Sequence, residues 1–291
     1  DNWIFNTGNK LTSALDDGHS RAMYSAFASA QLAYDEWLSL DITARNDWSS
    51  TLPKKNNSFF YPSASLSWVF SDFMRSIDHK LPSWITFAKL RVSAAQVGKD
   101  PAPYNLYNVR KYQFEMGNRK PINNTIKLNA NLKPEIKTSY EVGVDMKFLD
   151  NRLGFDFTYY YNTTKNQAML VDASSPWTQQ WVNAGKINNT GVEFMLYGTP
   201  VKTRDFQFDI TANLAHNSST VKELADGVNR VYFAGDSNMP VKVGAVKGGK
   251  LGDIFANNLM QRDAQGRVII GADGLPMAAT GDGNLEQYLL D

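Results

Sequence analysis

The chain of 291 residues contains no cysteine. This absence removes disulfide frameworks, thiol catalysis and thiolate metal sites, although it does not fix the compartment. An excess of charge of either sign is also missing, since 30 basic residues face 29 acidic ones and the formal net charge is +1. A nearly neutral chain gives no reason to expect nucleic acid or another polyanion as its partner.

Long hydrophobic runs are absent as well. No window approaches the roughly 20 consecutive apolar residues that a membrane-spanning helix needs, and the mean hydropathy is negative. A strand of a membrane β-barrel escapes this test, because only its alternate residues have to be apolar. The opening Asp1-Asn2-Trp3 lacks the pattern of a signal peptide, so we expect the chain to be a piece of a longer protein.

The sequence does contain a sustained period of two. From Arg21 to Tyr34 the even positions are apolar, and Ser25, Ser29 and Gln31 occupy odd ones. This alternation is typical of strands with one apolar face. Together with this stretch, seven later ones predict eight strands, and their apolar faces carry no charged residue. The later stretches are Leu38 to Ala44, Phe60 to Phe70, Ala88 to Ala94, Tyr140 to Phe148, Leu153 to Tyr161, Val192 to Leu196 and Phe206 to Leu214.

Two connections fix the strand pairing. If Asp150-Asn151 is a two-residue hairpin turn, paired residue numbers sum to 301, so that Phe148 faces Leu153 and every pair has matched polarity. The first two strands both place even positions on the apolar face, which requires a connection of odd length, from Asp35 to Trp37.

Strand length separates two interpretations of this pattern. A soluble β-sandwich also alternates, but its strands cluster near ~5 to 6 residues, whereas a strand that crosses a bilayer needs ~9 to 11. The stretches here reach the longer range. Tyr24 and Tyr34 are ten residues apart in the sequence, which corresponds to about 23 Å along the membrane normal and suits two aromatic girdles.

The connections also alternate in length, as in outer-membrane barrels with short turns at one end and long loops at the other. Asp72 to Ile85 is the exception, and we predict a turn with one helical coil there. The fold class predicted is all-β, an antiparallel up-and-down meander of about eight to ten strands that forms an arc of a large transmembrane β-barrel. The short connections are Asp35 to Trp37, Asp150-Asn151 and Thr199 to Arg204, and the longer ones are Ser49 to Phe59, Val97 to Lys137 and Lys165 to Gly185.

The domain organisation follows from the same pattern. Residues 1–217 are predicted to be barrel strands and loops. Residues 218–291 are rich in Gly and Asp and are predicted to be an extracellular-loop region of the same barrel domain. Within it, Arg267 to Ile270 and Leu275 to Ala278 can form a small hairpin across Gly271 to Gly274.

No motif for catalysis, metal binding or a cofactor is present. The three histidines, His19, His79 and His216, lie far apart and have no ligand at metal spacing. The predicted register makes Asp145 face Asp156, and facing carboxylates repel unless they are compensated. This pair is either an acid and base of the glycosidase kind or part of a wet polar face with Lys147 one diagonal step away, and we favour the second.

Aromatic residues also occur in the predicted outer loops. Flat apolar rings with polar rims suit sugar rings, so these residues are candidate ligand contacts. Loop packing or membership of an aromatic girdle explains them equally well. They are Tyr104, Tyr107, Tyr112, Trp177 and Trp181.

Several motifs resemble a known family. Leu128-Asn-Ala-Asn-Leu-Lys-Pro-Glu135 followed by Thr138-Ser-Tyr-Glu-Val-Gly-Val-Asp145 is similar to the barrel signature of TonB-dependent receptors. Three further stretches resemble the SusC/RagA branch, and their order and spacing match it. They are Phe60-Tyr-Pro-Ser-Ala-Ser-Leu-Ser-Trp68, Lys89-Leu-Arg-Val-Ser-Ala-Ala-Gln-Val-Gly98 and Asn183-Ala-Gly-Lys-Ile-Asn-Asn-Thr-Gly-Val-Glu193.

The resemblance implies energy-dependent uptake of a large nutrient, an oligosaccharide or a peptide, across the bacterial outer membrane of a member of the Bacteroidota. It implies no enzyme activity and no cofactor. The implied partners are outer-membrane lipid, a SusD/RagB-type surface lipoprotein, and TonB acting through a plug that this chain lacks. Eight strands cannot close a barrel of 22, so the chain would form an arc. Two alternatives stay open, a passive porin-like barrel and a secreted soluble β-sandwich binding module.

Overall fold

A single eight-stranded antiparallel sheet dominates the chain. The computed structural model describes residues 6–7, 10–11, 20–108, 111–115, 118–122, 124–228, 230–234, 241–256, 260–277 and 286–288. The strands lie side by side in chain order and the sheet stays open, which confirms the predicted meander and arc. They are β1 (Met23–Tyr34), β2 (Leu38–Ser49), β3 (Ser58–Val69), β4 (Ile85–Lys99), β5 (Glu135–Phe148), β6 (Leu153–Lys165), β7 (Lys186–Lys202) and β8 (Gln207–Glu223).

We call one side of the sheet the apolar face. It consists of the even positions of β1 to β5 and of β8, the odd positions of β6, and the even positions of β7 as far as Gly198. Many of its large side chains are exposed, including Phe157 in the middle of the sheet at 38% and Leu214 at 68%. A β-sandwich would bury this face against a second sheet. Because the face is left open, it is suited to contact with hydrocarbon.

The predicted register is confirmed residue by residue at two hairpins. Phe148 pairs with Leu153, and the partners along β5 and β6 sum to 301 throughout. Asp150 and Asn151 have φ of 53° and 64°, and the Arg152 N–H donates to the Leu149 carbonyl at 3.1 Å. These are the features of a type I′ turn. The connection between β1 and β2 has the predicted odd length, because Tyr34 pairs with Leu38.

Two connections differ from the prediction. The β7–β8 turn lies at residues 203–206 instead of starting at Thr199, because a register shift between Gly198 and Val201 lets both strands continue. Helix α1 (Phe70–Ser76) begins two residues before the predicted turn region and has only 7 residues. In the described part of the chain, every helix is too short or too polar to cross a membrane.

Long connections gather at the end of the sheet opposite to α1 and the tight turns. We call the two ends the long-loop end and the short-turn end. Most of the buried hydrophobic residues lie at the long-loop end, including Leu52, Leu132 and Val221. The small strands outside the main sheet are Asn6–Thr7, Lys10–Leu11, Lys111–Glu115, Asn118–Ile122, Ile126–Lys127, Ala168–Asp172, Gln179–Asn183, Arg230–Ala234, Val241–Val246, Asp253–Ala256 and Glu286–Tyr288.

The hairpin predicted after residue 266 is present in part. Ile270 forms a bridge with Pro276, and the Gly274 N–H donates to the Gly271 carbonyl at 3.0 Å across the predicted turn. Val268, however, pairs with Arg262 instead of with the second arm. Ala278 lies outside the described residues.

Candidate functional site

The candidate site is the polar face, the side of the main sheet opposite to the apolar face. Asp145 and Asp156 are direct cross-strand partners on it, as predicted. The compensation for Asp156 comes from a residue that the sequence interpretation did not assign to it. Arg91 on β4 donates to both Asp156 oxygens, from Nη1 at 2.9 Å and from Nη2 at 2.8 Å. Such a bidentate contact is the strongest form of a guanidinium–carboxylate pair.

Arg91 reaches Asp156 by crossing an intervening strand. Gly143 on β5 is the direct partner of both Arg91 and Thr158. A Cβ atom on Gly143 would lie 2.8 Å from the Arg91 Nη2 atom. The glycine therefore clears a path for the guanidinium over the backbone, and Arg91 Nη2 also reaches the Thr158 hydroxyl at 3.3 Å. The result is one cation on β4 that is hydrogen-bonded to β6 across the intervening β5.

The same arrangement, a long side chain lying over a glycine, occurs twice more on the polar face. Tyr197 lies over Gly154, and its hydroxyl donates to the Asp145 carboxylate at 3.3 Å. Tyr160 lies over Gly191, and its hydroxyl donates to Asn217 Oδ1 at 3.2 Å. Long side chains that cover glycines in this way pin the strand register. They also cover the polar face with hydroxyl and charged groups across β4 to β8.

Replacing Gly191 by alanine tests this packing. A Cβ there would lie within 3.0 Å of both the Tyr160 ring and the backbone carbonyl oxygen of His216. Because the carbonyl cannot move away as a side-chain tip can, we expect Gly191→Ala to destabilise the sheet by about 1 to 3 kcal/mol. Gly198→Ala on the same strand is the control, since its Cβ would meet its nearest atom at an ordinary 3.6 Å. Urea titration of the complete protein in lipid vesicles measures both, and equal costs would contradict the packing described.

A second polar cluster secures the long-loop end. The Asp100 carboxylate, which follows β4, accepts hydrogen bonds from the hydroxyls of Ser49 at 2.5 Å and Thr51 at 2.8 Å. Arg21, next to β1, donates to the same carboxylate from Nε at 2.9 Å and from Nη2 at 2.6 Å. Partial burial acts to raise the pKa of Asp100, but the two hydroxyl donors and the charge of Arg21 outweigh it, and the pKa lies below its usual value.

The lowered pKa predicts how stability depends on pH. A carboxyl whose pKa is lower in the folded state adds stability above its unfolded value of about 4, and loses that contribution as the pH falls through the folded value. We expect Asp100→Asn to cost about 1 to 3 kcal/mol at pH 7, as for hydrogen bonds to a charged group. Urea titrations at pH 7 and pH 3 should show the difference from wild type shrinking at the lower pH. A constant difference would contradict the assignment.

The five aromatic residues predicted to contact a ligand lie in two long-loop connections. Tyr104 and Tyr107 are 59% and 65% exposed, while Trp177 and Trp181 are half-buried. The Tyr104 hydroxyl accepts a hydrogen bond from the Ser20 backbone N–H at 3.0 Å. The Tyr112 side chain lies outside the described residues.

The two loops that carry these rings are joined to each other. Ile126–Lys127 runs parallel to the first residues of Gln179–Asn183. The Asn183 side chain donates to the Lys133 carbonyl at 2.8 Å, and its Oδ1 accepts from the Lys133 N–H at 2.7 Å. Sequence reasoning placed the rings in loops but gave no sign of this connection.

No metal centre is present among the described residues. No group of three or more His, Asp or Glu side chains there is arranged to hold a metal ion. His79 lies in the α1–β4 connection, whereas His216 lies on β8. His19 is outside the described residues.

Comparison with known proteins places this architecture. Residues 2–246 match the family described as TonB dependent receptor-like, beta-barrel. TonB-dependent receptor SusC of Bacteroides thetaiotaomicron is 28% identical over 209 residues, which cover 67% of this chain and 20% of that protein. TonB-dependent receptor P3 of Formosa agariphila is 26% identical over 215 residues, which cover 70% of this chain and 21% of that protein. Both organisms belong to the Bacteroidota, and the chain spans only about a fifth of either relative.

The fold is also that of solved transporters. The structure of the RagAB peptide importer in the open-open state superposes with a TM-score of 0.72 at 20% identity, and covers 97% of this chain and 31% of that one. The structure of the RagAB peptide transporter gives a TM-score of 0.70 at 22% identity over 84% of this chain and 26% of that one. The family match and the single-layer sheet with its open apolar face agree, and the chain belongs to the TonB-dependent receptor family as an arc of its outer-membrane β-barrel.

Proposed function

We propose that the complete protein imports a large nutrient, an oligosaccharide or a peptide, across the outer membrane, and that this chain forms part of the channel wall. The observation that carries the proposal is the division of one sheet into two faces. The apolar face is open for lipid, and the opposite face carries the Arg91–Asp156 pair and the tyrosine hydroxyls. A wall of this kind separates hydrocarbon from an aqueous passage. Residues 218–291 would belong to the same barrel.

The partners in this proposal are a SusD/RagB-type surface lipoprotein and TonB, which would act on a plug outside this chain. Similarity to SusC and to the RagAB importer supports this assignment. RagAB imports peptides, which supports a peptide as one of the two substrate classes proposed. The short-turn end would face the periplasm and the long-loop end the cell exterior, since outer-membrane barrels place their short turns inside. No step of covalent chemistry is required of the chain.

Uptake measurements separate active import from the porin alternative. Cells that express the complete protein should take up labelled oligosaccharides or peptides of one class, and deletion of the tonB gene should abolish that uptake. A passive porin would conduct equally well without TonB. Uptake that survives the deletion would contradict the proposal.

We also propose that Tyr104, Tyr107, Trp177 and Trp181 contact the substrate at the long-loop end. Stacking on an aromatic side chain contributes about 1 kcal/mol, so each alanine variant should bind the transported ligand several-fold more weakly in calorimetry. Trp84→Ala is the matched control, because this indole is 53% exposed but lies in the α1–β4 connection at the short-turn end. Unchanged affinity in all four loop variants would remove these residues from the site.

A further inference from the structure

A groove interrupts the apolar face near the short-turn end. Its volume is about 300 Å³, which lies at the lower limit for ligand pockets. The strand residues that line it are cross-strand neighbours, since Leu38 pairs with Trp68, Trp68 with Leu90, and Leu66 with Val92. All seven side chains that line the groove are apolar or aromatic: Trp37, Leu38, Leu66, Trp68, Phe73, Leu90 and Val92.

Helix α1 creates this groove by folding back onto the apolar face. Its Phe73 ring packs 4.8 Å from the ring of Trp37 and 5.7 Å from the ring of Trp68. The three rings form a raised rim around a lower floor of leucine and valine. The indole N–H groups of Trp37 and Trp68 make no hydrogen bond to the described residues, so contacts between rings hold the rim in place.

The position of the groove determines what can occupy it. The groove is continuous with the apolar face, which contacts the bilayer in this outer-membrane family. Lipid tails are as apolar as leucine, so an acyl chain gains little free energy by merely touching the apolar face. An unfilled groove, however, would forfeit the dispersion contacts of its whole lining. A flexible alkyl chain recovers these contacts, and a lining without polar groups selects against anything else.

We propose that the groove holds one acyl chain of a phospholipid from the periplasmic leaflet, bound more firmly than the lipids around the rest of the wall. The inference rests on the outer-membrane placement and on the orientation given under the proposed function. It does not depend on which nutrient is carried. The acyl chain covers the floor residues Val92 and Leu66, which are each 42% exposed in the protein alone.

Tryptophan fluorescence provides the test. The complete protein is reconstituted in nanodiscs of phosphatidylethanolamine with brominated acyl chains, which quench nearby indoles, and is then transferred into mild detergent without lipid. Bulk lipid leaves on transfer. We expect part of the quenching to persist, to disappear in the Trp37→Phe, Trp68→Phe double variant, and to coincide with one retained lipid in native mass spectrometry.

Variants that fill the groove complete the experiment. Val92→Phe and, independently, Leu66→Phe should abolish both the residual quenching and the retained lipid. Ile42→Phe, on the apolar face outside the groove and 43% exposed in the wild type, should leave both unchanged. Heat modifiability on gels confirms that each variant is folded. Loss of all quenching from the wild type on transfer, or equal retention in the filled variants, would overturn the proposal, and neither result would affect TonB-dependent uptake.

Discussion

Val142→Lys is expected to cost the barrel about 2 to 4 kcal/mol, the penalty for a lysine on the lipid face near the middle of the bilayer. Val142 lies in the centre of β5 between Val92 and Tyr159, and it is 43% exposed on the apolar face. The ammonium would have to enter hydrocarbon or bend toward a distant interface. The folded fraction of the complete protein in the outer membrane should fall accordingly, and urea titration in lipid vesicles gives the free energy of unfolding.

Ser93→Lys is the matched control for this prediction. Ser93 lies next to Val92 on β4 but on the polar face, where its direct partner is Glu141. A lysine there stays in water beside a carboxylate, and opposite charges across a ladder contribute about 0.2 to 1 kcal/mol of stabilisation. The two variants add the same side chain at nearly the same depth. Equal destabilisation by both would mean that the two faces have been assigned wrongly.

The sequence was sufficient to predict the strand register, because successive side chains along a strand point to opposite faces of the sheet. A slip of one position in β5 or β6 would carry Val144 and Phe157 to the polar face and Asp145 to the lipid. The Asp150-Asn151 turn then fixed the pairing, since both residues tolerate positive φ. Alternation and turn chemistry thus agree at this hairpin.

The β7–β8 turn could not be placed in the same way. The shift between Gly198 and Val201 inserts unpaired residues, so parity before and after it differs on β7. Both strands continue toward the turn, which leaves Phe206 inside it. There the Phe206 N–H donates to the Thr203 hydroxyl at 3.0 Å. The alternation of apolar and polar residues is regular on either side of a bulge. A short stretch of sequence therefore does not reveal where the bulge lies.

The side-chain contacts on the polar face were the hardest feature to predict from the sequence. Alternation showed that Arg91 and Asp156 share that face, but they lie on β4 and β6 with β5 between them. Only the size of Gly143 allows the guanidinium to pass. The available signal was a glycine on the polar face opposite a long side chain, and Gly154 with Tyr197 repeats it. That signal becomes readable only once the register is known.

Arg91→Gln is expected to destabilise the barrel by about 1 to 3 kcal/mol, because it removes the cation bound in bidentate fashion to Asp156, one of the two facing carboxylates. The arginine and Asp156 side chains are 38% and 23% exposed, so water screens part of the loss and keeps it at the lower end. Lys137→Gln removes the same charge from an exposed position on the polar face of β5. We expect that control to change the free energy of unfolding by less than about 0.5 kcal/mol.

A double-mutant cycle assigns the loss to the pair itself. Asp156→Asn in the Arg91→Gln background removes one of the two repelling charges, so the double variant should be more stable than Arg91→Gln alone. The coupling energy between positions 91 and 156 should be about 1 kcal/mol or more, as for residues in direct contact. Asp145→Asn should relieve Arg91→Gln in the same direction, because Asp145 is the carboxylate that faces Asp156. Strictly additive effects would show that the arginine stabilises the sheet through its packing over Gly143, and that the polar face has no need of its charge.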